Sequence, residues 1–476
     1  MAIKVKQSGV YADVVGIFTK AGGTYSAVQG IYAKSGGAYG SVFSSGTPLP
    51  QSANIVFNMK ADSLSLSDGA TVSSWTDSTA NALTFTGTGT FKTNQLGTKP
   101  CIRFNGTAGN YMTATRAGTA LDTALTSQIS TVMIVGKSFG TNSIGCMFGS
   151  SAGGNSCFYV VDGTQGNSAI GRYAGNTTTL AAPAVNAANM FVMASTSTKP
   201  YAIGSGTGFE QTFLNGSCVA SNVAPSPAPN QTTFSIGAVS AGSLRALVDI
   251  FDIVVWDRRL TPQEVFQATS YFYEKYGQTK PWAAVSNIVI YDGDSITAGV
   301  GATGGVVGNY PYKSAQTLGL AYGQWTNVAV GGITVTNMQG KLAEWSGIGA
   351  LLGKGQRVAA FEYYNQRGNS AAAIQTADNA YIAAVRALPN TKIAWGTSTG
   401  HSGDPDATRI AVDSYYDTNG PTLADSYVAL HTNVDIGDYT AYSRNSALYW
   451  SDTVHLNGAG YTILSSLMTP GISAIP

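Results

Sequence analysis

Hydrophobic and polar positions change their period twice along the chain. Residues 1–46 carry a fourteen-residue repeat. The run from Gly16 to Val28 recurs from Gly30 to Val42, and a more degenerate copy precedes both with Lys6, Gly9, Tyr11 and Val14 in register. Each unit alternates Val, Ile and Tyr with small polar residues around a Gly-Gly pair, which predicts a β-hairpin turning where positive φ is easily reached. The stretch from Ser44 to Pro50, built of Ser, Gly, Thr and Pro around one Leu, reads as a linker. Residues 51–281 then show short alternating runs at 54–58, 131–135, 190–193, 234–237 and 248–256, separated by turn residues. This is the pattern of an antiparallel β-sandwich. From 286 to 476 the period changes again. Strand-like runs at 287–291, 326–330, 357–362, 392–395 and 427–430 alternate with helical stretches near 312–320, 371–388, 407–417 and 459–467. Strand–helix alternation of this kind predicts a three-layer α/β domain with a parallel sheet covered on both faces. Ligands of such sheets sit outside the C-terminal strand ends, so the chemistry is expected just after the strands.

Composition narrows the function classes. Only 11% of residues are charged, against a usual fraction of about 25%. Gly (57 residues), Ser, Thr and Ala take up the difference, giving polar, uncharged faces that suit sugar hydroxyls. A net charge of +1 leaves no electrostatic footprint for nucleic acid or an anionic membrane. No apolar run approaches the ~20 residues that span a bilayer. The opening residues lack the apolar core and cleavage site of a secretory signal, so the expectation is a protein that folds in a cytosol. Cys101, Cys146, Cys157 and Cys218 lack metal-ligand spacing and are expected to be free, mostly buried thiols.

After the first α/β strand come Asp292, Gly293, Asp294 and Ser295. A serine hydroxyl is a poor nucleophile unless a base takes its proton and the loop presents Oγ at the mouth of the sheet. Gly293 permits the tight turn, and the residues after Ser295 can open a helix whose N–H groups face the site. Near the C-terminus, Asp452 stands three residues before His455, in a chain with three histidines. That spacing lets the acid hold one ring nitrogen while the other faces a nucleophile. His401 and His431 also follow strands and read as ordinary loop residues.

These blocks closely resemble the SGNH (GDSL-type) hydrolase family. The resemblance implies Ser295 as nucleophile with Asp452 and His455 as acid and base. It places an oxyanion glycine at Gly332, with Gly331 as the alternative, and an oxyanion asparagine at Asn365. The Ser295 N–H would be the third oxyanion donor. Tyr363 replaces the family's usual glycine and Gln366 its usual acid, while Tyr364 and Arg367 flank the asparagine as candidate substrate contacts. The implied chemistry is acyl transfer without metal or organic cofactor.

Residues 72–77, 102–106, 213–216 and 248–264 resemble the concanavalin A-like (laminin-G-like) jelly roll. In the last of these phrases Thr261 is the expected helix N-cap, Pro262 the first helical residue and Glu264 the capping-box partner. That family binds carbohydrate or serves as a spacer. The N-terminal repeats resemble the attachment modules of bacteriophage tail-fibre and tailspike proteins. The three resemblances together imply a phage tailspike, located in the virion, that removes O-acetyl groups from a capsule or O-antigen. Its expected partners are that bacterial surface polysaccharide and other tail proteins, with a homotrimer to bury the short hairpins. A lipase or thioesterase, a glycan-binding spike with a degenerate hydrolase domain, and a secreted cellular polysaccharide esterase remain as rivals. The lipase reading calls for an apolar groove, whereas the loop at 299–308 is Gly-rich and polar.

Overall fold

The computed structural model describes strands between Lys4 and Ser44 as backbone, and residues 49–475 apart from 116, 139–144, 150–154, 162–168, 175–176, 179–188, 199–208, 223–232, 240–243 and 303–304. At 138, 155–161, 169–174, 177–178, 220, 222 and 305–306 only the backbone is described. The chain divides into two compact units, Met1–Pro50 and Gln51–Pro476. The first contains three antiparallel strand pairs: Lys4–Gln7 with Val10–Asp13, Phe18–Ala21 with Thr24–Ala27, and Gly30–Ser35 with Ala38–Ser44.

The second unit opens with a large antiparallel β-sandwich sheet. Its organising strand is Leu247–Trp256, which pairs with Lys99–Asn105, Ser130–Ser138 and Ile55–Lys60. Every residue of that strand after Leu247 is buried, so both of its faces lie in the interior. Phe57, Trp75, Phe104, Phe148 and Phe234 fill the core around it. Two acids on the strand enter this interior only because each meets a cation. Asp249 pairs with Arg103 at 2.7 Å, and Asp252 with Lys275 at 2.8 Å. The run at 213–216 forms a tight turn in which Asn215 (φ 53°) and Gly216 (φ 95°) both take the left-handed conformation that a two-residue hairpin requires.

The strand leads into the helix Pro262–Lys275, which begins as expected. Thr261 accepts from the Glu264 N–H, the Glu264 carboxylate accepts from the Thr261 N–H, and Pro262 opens the first turn. One cysteine departs from expectation. Cys101 and Cys218 are buried free thiols, but Cys146 is disulfide-bonded. The Cys157 side chain lies outside the described residues; its strand, Asn155–Val161, pairs with Gly145–Gly149, which carries Cys146.

A separate five-stranded parallel sheet follows, formed by Asn287–Gly293, Trp325–Asn327, Gly355–Phe361, Thr391–Gly396 and Ser426–Val428. The spatial order is second, first, third, fourth, fifth. Side chains alternate between two helical layers, which explains the near-continuous apolar strands. Val289, Tyr291 and Phe361 meet Leu464, Met468 and Ile472 of the helix Gly458–Ala474 on one face. Ile288, Ile290 and Val358 meet Ile374, Ile382 and Val385 of the helix Ala371–Arg386 on the other.

The two sheets meet at their edges. Ser217–Asn222 ends the sandwich order and Trp325–Asn327 ends the parallel one. The Ser217 hydroxyl donates to the Trp325 carbonyl and accepts from the Gly323 N–H at 2.7 Å, while the Cys218 N–H donates to Thr326 Oγ1 at 2.9 Å. Each edge is thereby covered by the other, which removes two templates for unwanted strand addition. Among the described residues no helix is long and apolar enough to cross a membrane.

Thr261→Ala is expected to lower the stability of the sandwich by about 1 kcal/mol through loss of the cap. Thermal unfolding should show this as a fall of a few degrees, and an unchanged midpoint would contradict the role given to the capping box.

Candidate active site

In a sheet of this order, the crevice opens between the C-terminal ends of the first and third strands, where successive connections leave in opposite directions. Gly293 ends the first strand at φ 154°, and a Cβ there would lie 2.4 Å from Thr297 Oγ1, so only glycine fits. Asp294 then caps the short helix Ser295–Ala298 by accepting from the Ile296 N–H at 2.8 Å. Ser295 is the first residue of that helix, and its N–H has no acceptor within the turn.

His455 arrives from the opposite end of the domain, on the loop between the helices Ala441–Tyr449 and Gly458–Ala474. The loop is tied shut by the Ser451 N–H on the His455 carbonyl and the Asn457 N–H on the Tyr449 carbonyl, both at 2.8 Å. Gly301 lets the segment after the serine pass close by, since a Cβ there would come within 3.0 Å of the His455 Cβ. His455 Nε2 lies 2.9 Å from Ser295 Oγ, and His455 Nδ1 lies 2.7 Å from Asp452 Oδ2. Asp452 Oδ1 accepts the backbone N–H groups of Val454 and His455, both at 2.7 Å. Burial pulls the Asp452 carboxyl upward, but the His455 N–H, the His455 ring and the Val454 N–H together hold it below its ordinary value. An ionised Asp452 keeps the proton on Nδ1 and leaves Nε2 free to accept from Ser295. The structure thus brings Ser295, Asp452 and His455 together, although Ser295 and Asp452 lie far apart in the chain.

The remaining predicted residues surround Ser295. Gly331 and Gly332 form a turn after the second strand, with Gly332 exposed at φ 77°, and among the described residues no acceptor occupies either N–H. The loop is fastened to the first strand by the Val330 N–H on the Gly293 carbonyl at 3.2 Å. Lys341 fastens it again, donating to the Val328 carbonyl at 2.7 Å and to the buried Asp292 carboxylate. Asn365 follows the third strand. Its Nδ2 donates to Asp294 Oδ2 at 3.0 Å and to the Ile333 carbonyl at 3.1 Å, so both amide hydrogens are already engaged. Donation to an incoming oxyanion requires one of these two acceptors to be exchanged for it.

Both departures from the family pattern have a local account. Tyr363 (φ −149°) needs no glycine conformation, and its buried ring sends the hydroxyl to Asp406 at 2.5 Å. Gln366 is buried and donates to Asp378 Oδ1 at 3.1 Å. Acidic groups therefore stand behind Asn365 even though the adjacent position is an amide. Glu362 Oε1 accepts the Asn365 N–H at 2.7 Å. Burial, and next the neighbouring Asp294 charge, push Glu362 well above the carboxylate range. Burial also raises Asp294 to about 6 against the Ile296 N–H and His455, and Asp378 to about 7 against Gln366 and Tyr416.

His401 is not the ordinary loop residue expected. It is buried and lines a small recess with Asp294, Ile296, Tyr364 and Val454, a space of about 10 Å³ or roughly one water. Its Nδ1 accepts the Gly403 N–H at 2.9 Å, and burial holds the imidazole below its usual value. A histidine following a strand was the only signal in the sequence. His431 is buried as well, with Nδ1 3.1 Å from Thr397 Oγ1 and Nε2 3.3 Å from Asp417, and does not line this recess. Tyr364 lines the recess too, while Arg367 stands exposed beside it over the Tyr364 ring.

No family model and no curated protein matches the chain. Among solved structures, a Trypanosoma rangeli sialidase is similar at 14% identity and TM-score 0.34, over 48% of this chain and 34% of its own. The chain thus spans about a third of that sialidase. A member of the lipolytic protein G-D-S-L family from Veillonella parvula is similar at 16% identity and TM-score 0.31, over 38% of this chain and 94% of its own. Domain 4 of a GH43 extracellular arabinanase from Geobacillus stearothermophilus is similar at 16% identity and TM-score 0.33, over 45% and 98%. None of these likenesses sets the function of this chain.

The buried acid behind Gln366 yields a pH-dependent expectation. Asp378 has a folded pKa of about 7, above its unfolded value, so its contribution to stability is present at low pH and is lost as pH rises through about 7. Asp378→Asn removes this loss. The variant's melting temperature, relative to the parent, should therefore be higher at pH ~8.5 than at pH ~5. An equal difference at the two pH values would contradict the assignment.

Proposed function

We propose that this chain is a serine esterase of the SGNH type. The observation that carries the reading is the hydrogen-bonded sequence Ser295 Oγ, His455 Nε2, His455 Nδ1, Asp452 Oδ2, with links of 2.9 and 2.7 Å at the mouth of the parallel sheet. In the reaction, Ser295 Oγ attacks the ester carbonyl carbon as His455 Nε2 takes its proton. The imidazolium that forms is stabilised by Asp452. The tetrahedral oxyanion faces the N–H groups of Ser295 and Gly332 and the Asn365 amide, with Gly331 as the alternative donor; each donor lowers the barrier by roughly 3 kcal/mol. Collapse breaks the ester C–O bond, and the leaving alcohol takes its proton from His455. Water, deprotonated by His455, then attacks the acyl-serine, releasing the carboxylic acid and returning the proton to Ser295.

The recess lined by Asp294 and Ile296, the two neighbours of Ser295 in the chain, supports a small acyl group. Space for about one water admits a methyl, whereas a fatty acyl chain requires a long apolar groove. Acetyl is therefore the preferred acyl group, and a lipase or thioesterase activity is disfavoured. The low charge, the sandwich and the hairpin repeats support a bacterial surface polysaccharide, capsule or O-antigen, as the acetylated substrate. On this reading the protein is a homotrimeric phage tailspike located in the virion, attached to other tail proteins through residues 1–46. A second reading, a glycan-binding spike without turnover, is favoured by the two engaged hydrogens of Asn365.

Acetate release from acetylated bacterial polysaccharide and from p-nitrophenyl acetate decides between them. The intact protein is expected to release acetate from both, with Ser295→Ala at background. Asn365→Ala is expected to retain activity reduced by roughly 10²–10³ in kcat. Release no faster than that of the alanine variant of Ser295, from a folded protein, would leave the binding spike as the better account.

A further inference from the structure

Four side chains stack beside the recess next to Ser295. The His401 ring lies nearly parallel to Tyr363 at 6.2 Å and meets Tyr364 edge-on at 5.5 Å. The Arg367 guanidinium sits over the Tyr364 ring at 4.1 Å. The base of the stack is fixed, because Tyr363 donates to Asp406 and His401 is held through the Gly403 N–H on its Nδ1. The outer end is exposed, and among the described residues the Arg367 guanidinium has no hydrogen bond or ion pair. Six other described arginines differ in this. Arg103, Arg258, Arg259, Arg386, Arg409 and Arg444 each hold a carboxylate. The acids nearest the stack are already committed, Asp404 to Arg409 at 2.6 Å and Asp406 to Tyr363 at 2.5 Å.

We infer that Arg367 is a recognition site for a substrate carboxylate, so that the ester cleaved here belongs to an acidic glycan. The inference rests on the esterase reading of Ser295 and deepens it by naming the substrate class. A guanidinium held over a tyrosine ring is partly pre-ordered, and its N–H fork is left for a planar, bidentate anion. Carboxylate, a planar anion carried by acidic sugars, matches this fork in charge and geometry. Placement agrees with that role. Arg367 follows Asn365 by two residues, at most about 7 Å of backbone. Asn365 in turn contacts Asp294, the residue before Ser295. An O-acetyl group at Ser295 and a carboxylate at Arg367 fit a uronic-acid-type residue that carries the acetyl or adjoins the one that does.

The test compares two probes, an O-acetylated methyl glucuronoside and the O-acetylated methyl glucoside that differs only in having CH₂OH for the carboxylate. The wild-type protein should favour the acid by about ten-fold or more in kcat/KM, mainly through KM, and the preference should shrink with added salt. Arg367→Gln should bring the ratio to about one, and Arg367→Lys should keep part of it. A wild-type ratio near one, or a ratio unchanged in Arg367→Gln, overturns the inference. Turnover of p-nitrophenyl acetate by wild type against Ser295→Ala reports separately on the esterase reading. If that reading fails, the same two glycosides are titrated against the Ser295→Ala protein. A ten-fold difference in Kd supports the carboxylate site, and equal binding overturns it.

Discussion

The buried carboxylate of Asp294 joins the two strand ends that border the candidate crevice. One oxygen accepts the Ile296 N–H and so sets the helix that begins with Ser295; the other accepts the Asn365 amide from beyond the third strand. Burying an ionised carboxylate costs several kcal/mol unless hydrogen bonds replace its lost water. Here the replacement is incomplete, and Asp294 rises to about 6. The arrangement persists because its neighbours leave it little freedom. Gly293 admits no side chain, Asp292 is held by Lys341 and Tyr381, and Glu362 grips the Asn365 backbone. Serine position and asparagine position are therefore a single mechanical unit, with the His455 loop docking onto it from the C-terminal helix.

Much of this was legible in the sequence because it depends on local order. Strand and helix periods give the α/β layers, the residues around Ser295 give the strand-to-helix turn, and the three-residue step from Asp452 to His455 brings carboxylate and ring together. Thr261 and Glu264 likewise form their reciprocal cap within a single turn. Other features depend on contacts distant in sequence. The bond at Cys146, the recess lined by His401 and the edge-to-edge meeting of the two sheets arise only when separate loops or strands fold side by side. Helices Val335–Gly340 and Ile348–Leu352 were missed because five or six residues are too few to display a 3.6-residue period. Asn365 is the instructive middle case. Its place after a strand was readable, but the engagement of both amide hydrogens depends on Asp294 and Ile333, which the sequence does not place beside it.

The sandwich and the parallel sheet solve a shared problem. Ser217–Asn222 and Trp325–Asn327 are terminal strands, and each leaves backbone groups that need cover. Contacts of Ser217 with Trp325 and Gly323, and of the Cys218 N–H with Thr326, supply part of it, and the Arg259–Glu344 pair at 2.9 Å ties the two layers together elsewhere. The sandwich thereby supports the second-strand side of the α/β sheet, where the loop bearing Gly331 and Gly332 departs toward Ser295.

The central claim, that Ser295 is a nucleophile activated by His455, is tested most directly by covalent trapping. The folded protein is treated with a small fluorophosphonate and digested, and the peptides are identified by mass spectrometry. The account predicts one adduct on the peptide containing Ser295, formed quickly in the intact protein and greatly slowed in His455→Ala. No adduct on Ser295, or equal labelling with and without His455, would contradict it.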